Sequence, residues 1–167
     1  MERHQRQVFT LARYLLSDQG DAEDVTQEVL IRLWRNRRRV ARDHLQAWLL
    51  RVTRNTSYDR LRRHHTASRV FVAGLDGRGA AGARATGPDP EARAGAAEFT
   101  TRLEAALDRL GEPARSIVIL REIQGLAYRE IADVLDKPIG TVRVTLHRAR
   151  RRLRQELREV YEDVAAG

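Results

Sequence analysis

Between Lys137 and Arg154 the chain carries Lys137, Arg143, Arg148, Arg150, Arg151, Arg152 and Arg154, and no acidic residue. A guanidinium is a planar fork of donors that matches phosphate oxygens and the paired acceptors on a guanine edge. The surrounding stretch, YREIADVLDKPIGTVRVTLHRARRRL over 128–153, reads as two helices joined by a tight turn at Asp136-Lys137, with Pro138 opening the second. A helix-turn-helix of this kind lays the start of its second helix in a major groove. Thr141, Arg143, Val144, His147 and Arg148 project from those first turns, where base edges are reached. Arg150, Arg151, Arg152 and Arg154 follow, better placed for phosphates. A merely solvated basic face is the plainer reading of the charge; the turn and the lack of acids weigh against it.

A second constellation is Arg51, Arg54, Asn55, Tyr58, Arg62 and Arg63, preceded by the arginine-rich run from Arg35 to Arg42. Arginines for phosphates interleaved with an aromatic and an amide suit single-stranded nucleic acid. Tyr58 is the exposed aromatic expected to make such contacts, whereas the spacing of Trp48 with Leu49 and Val52 favours core packing. The third constellation, Asp24, Gln27, Glu28 and Ile31, lies along one side of a helix and reads as a protein-contact surface. A capped, solvated helix end is the alternative. Asp21, Asp24 and Glu28 could hold a divalent cation, but no second acidic helix offers the remaining ligands. The histidines are scattered apart from His64-His65, and cysteine is absent. No metal, cofactor or catalytic group is expected, and the chain does not read as an enzyme.

The elements that must position these residues are helices. Val8, Leu11, Ala12, Leu15 and Leu16 recur at helical spacing and stop at Ser17–Gly20. Asp21 is placed to cap a second helix with Val25, Val29, Leu30, Leu33 and Trp34 as its apolar side. A third helix, roughly Leu45 to Arg63, puts Leu45, Trp48, Leu49, Val52 and Thr56 on one face. Residues 66–95 hold six of the 11 glycines, with Pro88 and Pro90. Little there can repay the entropy of ordering, so the stretch reads as a flexible linker, with a short ordered start at Val70–Val72. Beyond it Phe99, Leu103, Ala106, Leu107 and Leu110 form a helix closed by Gly111. Pro113 opens another with Ile117, Val118, Leu120 and Ile123, and Gly125 ends it. Ile131, Ala132, Leu135, Val142 and Leu146 are spaced to join the last two helices. The expected fold is all-α: two small helical domains, 1–65 and 96–167, on the tether 66–95.

Thirty-one basic against 23 acidic residues give a formal charge of +8, with the excess at the two ends and none over 66–100. That balance favours a nucleic acid as partner. The N-terminus has no signal-peptide core, and no apolar run approaches the roughly 18–20 residues that a bilayer requires. A cytoplasmic protein without membrane insertion is expected.

Three segments together, DAEDVTQEVLIRLWRN, AWLLRVTRNTSYDRLRR and LREIQGLAYREIADVLDKPIGTVRVTLHRARRRL, resemble bacterial RNA polymerase sigma factors of the extracytoplasmic-function (ECF) group. Their order and spacing cover nearly the whole chain outside the linker. The resemblance implies sigma regions two and four as the two helical domains, and core RNA polymerase and promoter DNA as partners. It implies that Asp24, Gln27, Glu28 and Ile31 bind the clamp helices of the polymerase largest subunit, with region four at the flap. The loop Arg37–Gln46 and Arg51, Arg54, Asn55, Tyr58, Arg62 and Arg63 would capture and melt the −10 element. Lys137, Pro138, Thr141, Arg143, Val144, His147, Arg148 and Arg151 would read the −35 element. An anti-sigma protein is a further implied partner. The chain departs from the family pattern at Val144-Thr145, where serine and arginine are common, and at Asp136, where glycine is usual. Lys137 also stands at an often apolar position. The chain opens almost inside its first helix, so a start slightly upstream is expected. A stand-alone helix-turn-helix regulator is the rival; it predicts tight duplex binding without polymerase.

Overall fold

The computed structural model describes residues 2–71 and 90–165, and every element among them is helical. Helix α1 (Glu2–Leu16) buries Val8, Leu11, Ala12, Leu15 and Leu16, the single stripe that spacings of three and four residues produce. It ends at Ser17, whose φ of 57° turns the chain sharply. The Asp18 carboxylate then accepts the Asp21 N–H at 2.7 Å and caps α2 (Gln19–Asn36). This corrects the expectation that Asp21 is the cap. The turn is completed at Ser17, so the helix begins early enough for Asp21 to supply an amide. Asp18→Ala should lower stability by about 1 kcal/mol. Thermal unfolding would show it, and an unchanged midpoint would mean that water serves the Asp21 amide equally well.

On α2, Ala22, Val25, Thr26, Val29 and Leu33 face inward. Trp34 does not join them: it is 67% exposed, with the Arg37 guanidinium 4.5 Å from its ring centroid. A 100° step beyond Leu33 carries it off the buried stripe. A single 3₁₀ turn, Arg42–His44, leads into α3 (Leu45–Phe71), which runs past the expected end at Arg63. The innermost face of α3 is Leu49, Leu50, Thr53, Thr56 and Ser57, while Leu45, Trp48 and Val52 pack at its margin. Thr53 is tolerated there because its hydroxyl donates to the Leu49 carbonyl at 2.7 Å.

The second half begins with α4 (Pro90–Leu110), which buries Ala106 and Leu107. Phe99, expected on its apolar face, is 47% exposed. Gly111 and Gly125, at φ 66° and 71°, make the turns before and after the next helix. That helix, α5 (Ala114–Val118), widens into a π-helical turn over Ile119–Ile123. Helix α6 (Tyr128–Leu135) and the long α7 (Ile139–Ala165) form the expected pair, with Asp136 between them in the left-handed region at φ 52°. Aspartate accepts that backbone better than most residues. Ile131, Ala132, Leu135, Val142, Leu146 and Ala149 are buried between and beneath the pair. Helices α3 and α4 reach into both ends of the 66–95 stretch; residues 72–89, with Val72 and most of its glycines, lie outside the described residues.

The buried side chains fall into two clusters. One, built from Val8, Ala12, Leu16, Ala22, Val25, Val29, Leu33 and Leu49, belongs to the first three helices alone. The other joins Leu11, Leu15 and Leu50 to Leu107, Ile117, Leu120, Ile131 and Leu146 of the second half. The halves are therefore packed on one another through α1 and α3.

Candidate nucleic-acid interface

The recognition helix is presented by local chemistry. The Glu130 carboxylate accepts the Ala127 N–H at 2.6 Å and fixes the start of α6. The left-handed Asp136 then redirects the chain so that α7 leaves with Val142 and Leu146 inward. Thr141, Arg143, Val144, His147 and Arg148 are exposed on the opposite side, as their spacing required, and Val144 is 50% exposed. Lys137 and Pro138 are exposed at its entrance and Arg151 further along. The Arg143 guanidinium lies 5.8 Å from the Tyr128 ring centroid, close enough to be steadied without being consumed. Not every basic group is free for phosphate: Arg150 donates to Glu122 at 2.6 and 2.8 Å, and Arg152 to Glu156 at 3.2 Å. The Glu122 contact comes first in holding the Arg150 pKa above its ordinary value. Arg143→Ala should weaken duplex binding by about 1–3 kcal/mol if Arg143 forks onto one base pair. A selection on randomised duplexes would then show relaxed preference at that pair, whereas equal loss on every sequence would mark a phosphate contact.

Among the α3 residues expected to meet single-stranded DNA, Arg51, Arg54 and Tyr58 contact the second half. Arg51 donates to the carbonyls of Asp133 and Val134 at the end of α6. Arg54 pairs with Glu112 and lies 5.5 Å from the Tyr58 ring centroid. The Tyr58 hydroxyl shares a 3.2 Å hydrogen bond with Ser116. Tyr58, expected to be exposed, is half-buried and packs on the shared core. Burial raises its pKa, while the Ser116 hydrogen bond and the Arg115 and Arg54 charges pull the other way. Burial likewise lowers the Arg54 pKa. Asn55, Arg62 and Arg63 stay exposed, with Arg62 paired to Asp59. Arg54, Asn55, Tyr58, Asp59, Arg62 and Glu112 enclose a small polar recess.

On α2, Asp24, Gln27 and Ile31 are exposed, Ile31 by 51%, and Glu28 is ion-paired to Arg32 one turn on. Asp21 and Asp24 both turn to Arg60 of α3, each at 2.8 Å. Burial works against the Arg60 charge, but the two carboxylates outweigh it and raise its pKa. The acidic pair therefore braces α2 against α3, and the apolar Ile31 and Trp34 stand outward beside it. The residues that composition and spacing did not single out are Glu112, Arg115 and Ser116, because a charged or polar residue at a helix start normally faces water.

Comparison with known proteins decides the family. Residues 1–66 match Sigma-70 region 2 and residues 100–153 match Sigma-70, region 4. The chain is 33% identical over 153 residues to the ECF RNA polymerase sigma-E factor of Escherichia coli strain K12, covering 89% of this chain and 79% of that one. This chain belongs to the ECF sigma factors. It is 36% identical over 157 residues to the ECF RNA polymerase sigma factor SigE of Mycolicibacterium smegmatis, and spans 94% of itself but 60% of that relative's length. A similar fold occurs in the sigma factor RpoE of Bartonella quintana, solved with the anti-sigma factor NepR: TM-score 0.73, 24% identity, covering 93% of this chain and 92% of that one. The arrangement of helices in this ECF sigma factor is thus a family fold. Among the described residues no helix is long and apolar enough to cross a membrane.

Proposed function

We propose that this ECF sigma factor directs core RNA polymerase to promoters by dividing the work between its halves, with residues 1–65 as region two, 66–95 as tether and 96–167 as region four. The observation that carries the reading is the exposed first turns of α7, Thr141 to Arg148, free of acidic residues and set opposite a packed face. With Lys137, Pro138 and Arg151 they read the −35 duplex through the major groove. Arg51, Arg54, Asn55, Tyr58, Arg62 and Arg63 take the −10 strand once it is unpaired. Extruding a base there costs a few kcal/mol, which binding energy supplies, so the protein's role is binding rather than catalysis. Asp24, Gln27, Glu28 and Ile31 meet the clamp helices of the largest subunit, and region four sits at the flap. The work is done in the cytoplasm, and an anti-sigma protein is the expected antagonist, as NepR is named for RpoE.

Footprinting on promoter fragments separates this from a stand-alone regulator. The sigma reading expects protection of two elements only when core polymerase and this chain are both present. Strong protection of one palindromic duplex site by the chain alone would favour the regulator.

A further inference from the structure

Among the exposed residues from Thr141 to Arg148, Val144 alone offers neither a charge nor a hydrogen-bonding side chain. It stands 50% exposed, beside Arg143 and one turn before His147 and Arg148. A lone exposed valine is ordinary on a protein surface. One set among cations on a DNA-facing strip is not, because phosphates give it nothing to bind. The space around it is also clear. A helical side chain leans back over the turn that precedes it, and for Val144 that turn holds Gly140. Apart from the helix backbone and the chain neighbours of Gly140, nothing stands within 4 Å of where a Cβ would sit. The valine methyls therefore border an open notch at the start of α7. They are also held rigidly, since branching at Cβ leaves one strongly preferred rotamer in a helix. Little side-chain freedom remains to be lost on binding.

We propose that Val144 is a specificity-determining residue that recognises the C5-methyl group of a thymine in the −35 duplex, seated over the Gly140 notch. The inference rests on the assignment of α7 to the −35 major groove. On the major-groove edges of the bases the other readout groups are hydrogen-bond donors and acceptors, and the thymine methyl alone is apolar. Packing that methyl on the valine removes apolar surface of both from water. Opposite any other base the same valine would cover a donor or acceptor and leave it unpaired, so the wrong base is penalised as well. The neighbouring side chains then read different features. Arg143, beside the Tyr128 ring, is suited to the paired acceptors of a guanine. Val144 reports the one feature that a guanidinium cannot.

Holoenzyme formed from core polymerase and the full chain, applied to promoter fragments randomised over the −35 region, supplies the preferred element. Each thymine of that element, on either strand, is then replaced singly by deoxyuridine, which pairs identically and lacks only the methyl. Competition binding should show a loss of about three- to fivefold at one of these thymines, the usual effect of a buried methyl group. In Val144→Ser the difference between thymine and uracil at that position should disappear, whereas Val144→Ile should keep it. Each comparison sets two duplexes against one protein, so the fraction of a variant that is folded cancels. An element without any A·T pair would overturn the proposal. So would deoxyuridine tolerated at every position, or a methyl effect that survives in Val144→Ser. Failure of the −35 reading looks different: no preferred element emerges from the randomised region, and the premise falls together with the proposal.

Discussion

Leu146→Ala is expected to destabilise the second half by about 2–5 kcal/mol, the usual consequence of emptying a buried leucine site. Leu146 is 1% exposed and lies with Ile131, Ala132 and Val142 where α6 and α7 cross. A domain of this size holds only a few kcal/mol in reserve, so the loss is comparable with its whole stability. The recognition helix keeps its charges but loses its platform. Trp48 lines a cleft with Asp133, Lys137 and Pro138, so in a Trp48→Phe background the remaining Trp34, on α2, follows the first half while far-ultraviolet dichroism follows both. The variant should lose part of its helical signal at low denaturant while tryptophan emission changes later. Duplex binding should vanish with the early step. Coincident transitions at the parent's midpoint would contradict the packing described for Leu146.

The second large effect is expected at Ile31. It stands 51% exposed on α2 in line with Asp24, Gln27 and Glu28, and Trp34, 67% exposed, extends the apolar surface. An exposed isoleucine framed by polar groups supplies a central apolar contact in a protein interface. Ile31→Asp removes that contact and buries a charge against the partner. Core polymerase affinity should fall by about 2–4 kcal/mol, or roughly 30- to 1000-fold. Folding should be nearly unaffected, within about 0.5 kcal/mol, because the side chain packs little in the free protein. Competition between labelled parent and variant for core polymerase measures the difference. A folded variant competing within threefold of the parent would show that polymerase does not use this surface. Glu28→Lys should weaken binding in the same assay.

Much of this was legible in the residues because periodic apolar spacing and terminal signals report local geometry. The stripe of α1, the left-handed turn at Asp136 and the outward face of α7 all follow from neighbours within one or two turns. Legibility fails where a tertiary partner decides. Asp18 rather than Asp21 caps α2 because Ser17 completes the turn first. Thr53 lies at full burial on α3, invisible to an apolar pattern, since threonine can satisfy its hydroxyl on the preceding turn. Phe99 and Trp34 are apolar yet exposed, which no periodicity forbids. Arg115 is the clearest case. A guanidinium buried against a helix end 101 residues away is accommodated only by a fold already assembled. The spacing of Tyr58 on α3 predicts an exposed DNA contact, but its half-burial against Ser116 comes from the packing of the halves.

Run-off transcription on fragmented DNA of the source genome, with the 5′ ends of the products sequenced, tests the central claim most directly. Core polymerase supplemented with this chain should produce transcripts whose start points share two sequence elements, one near −10 and one near −35. Core polymerase alone should not produce them, and Ile31→Asp should abolish them. Start points that are the same with and without the chain would contradict its assignment as the promoter-directing subunit.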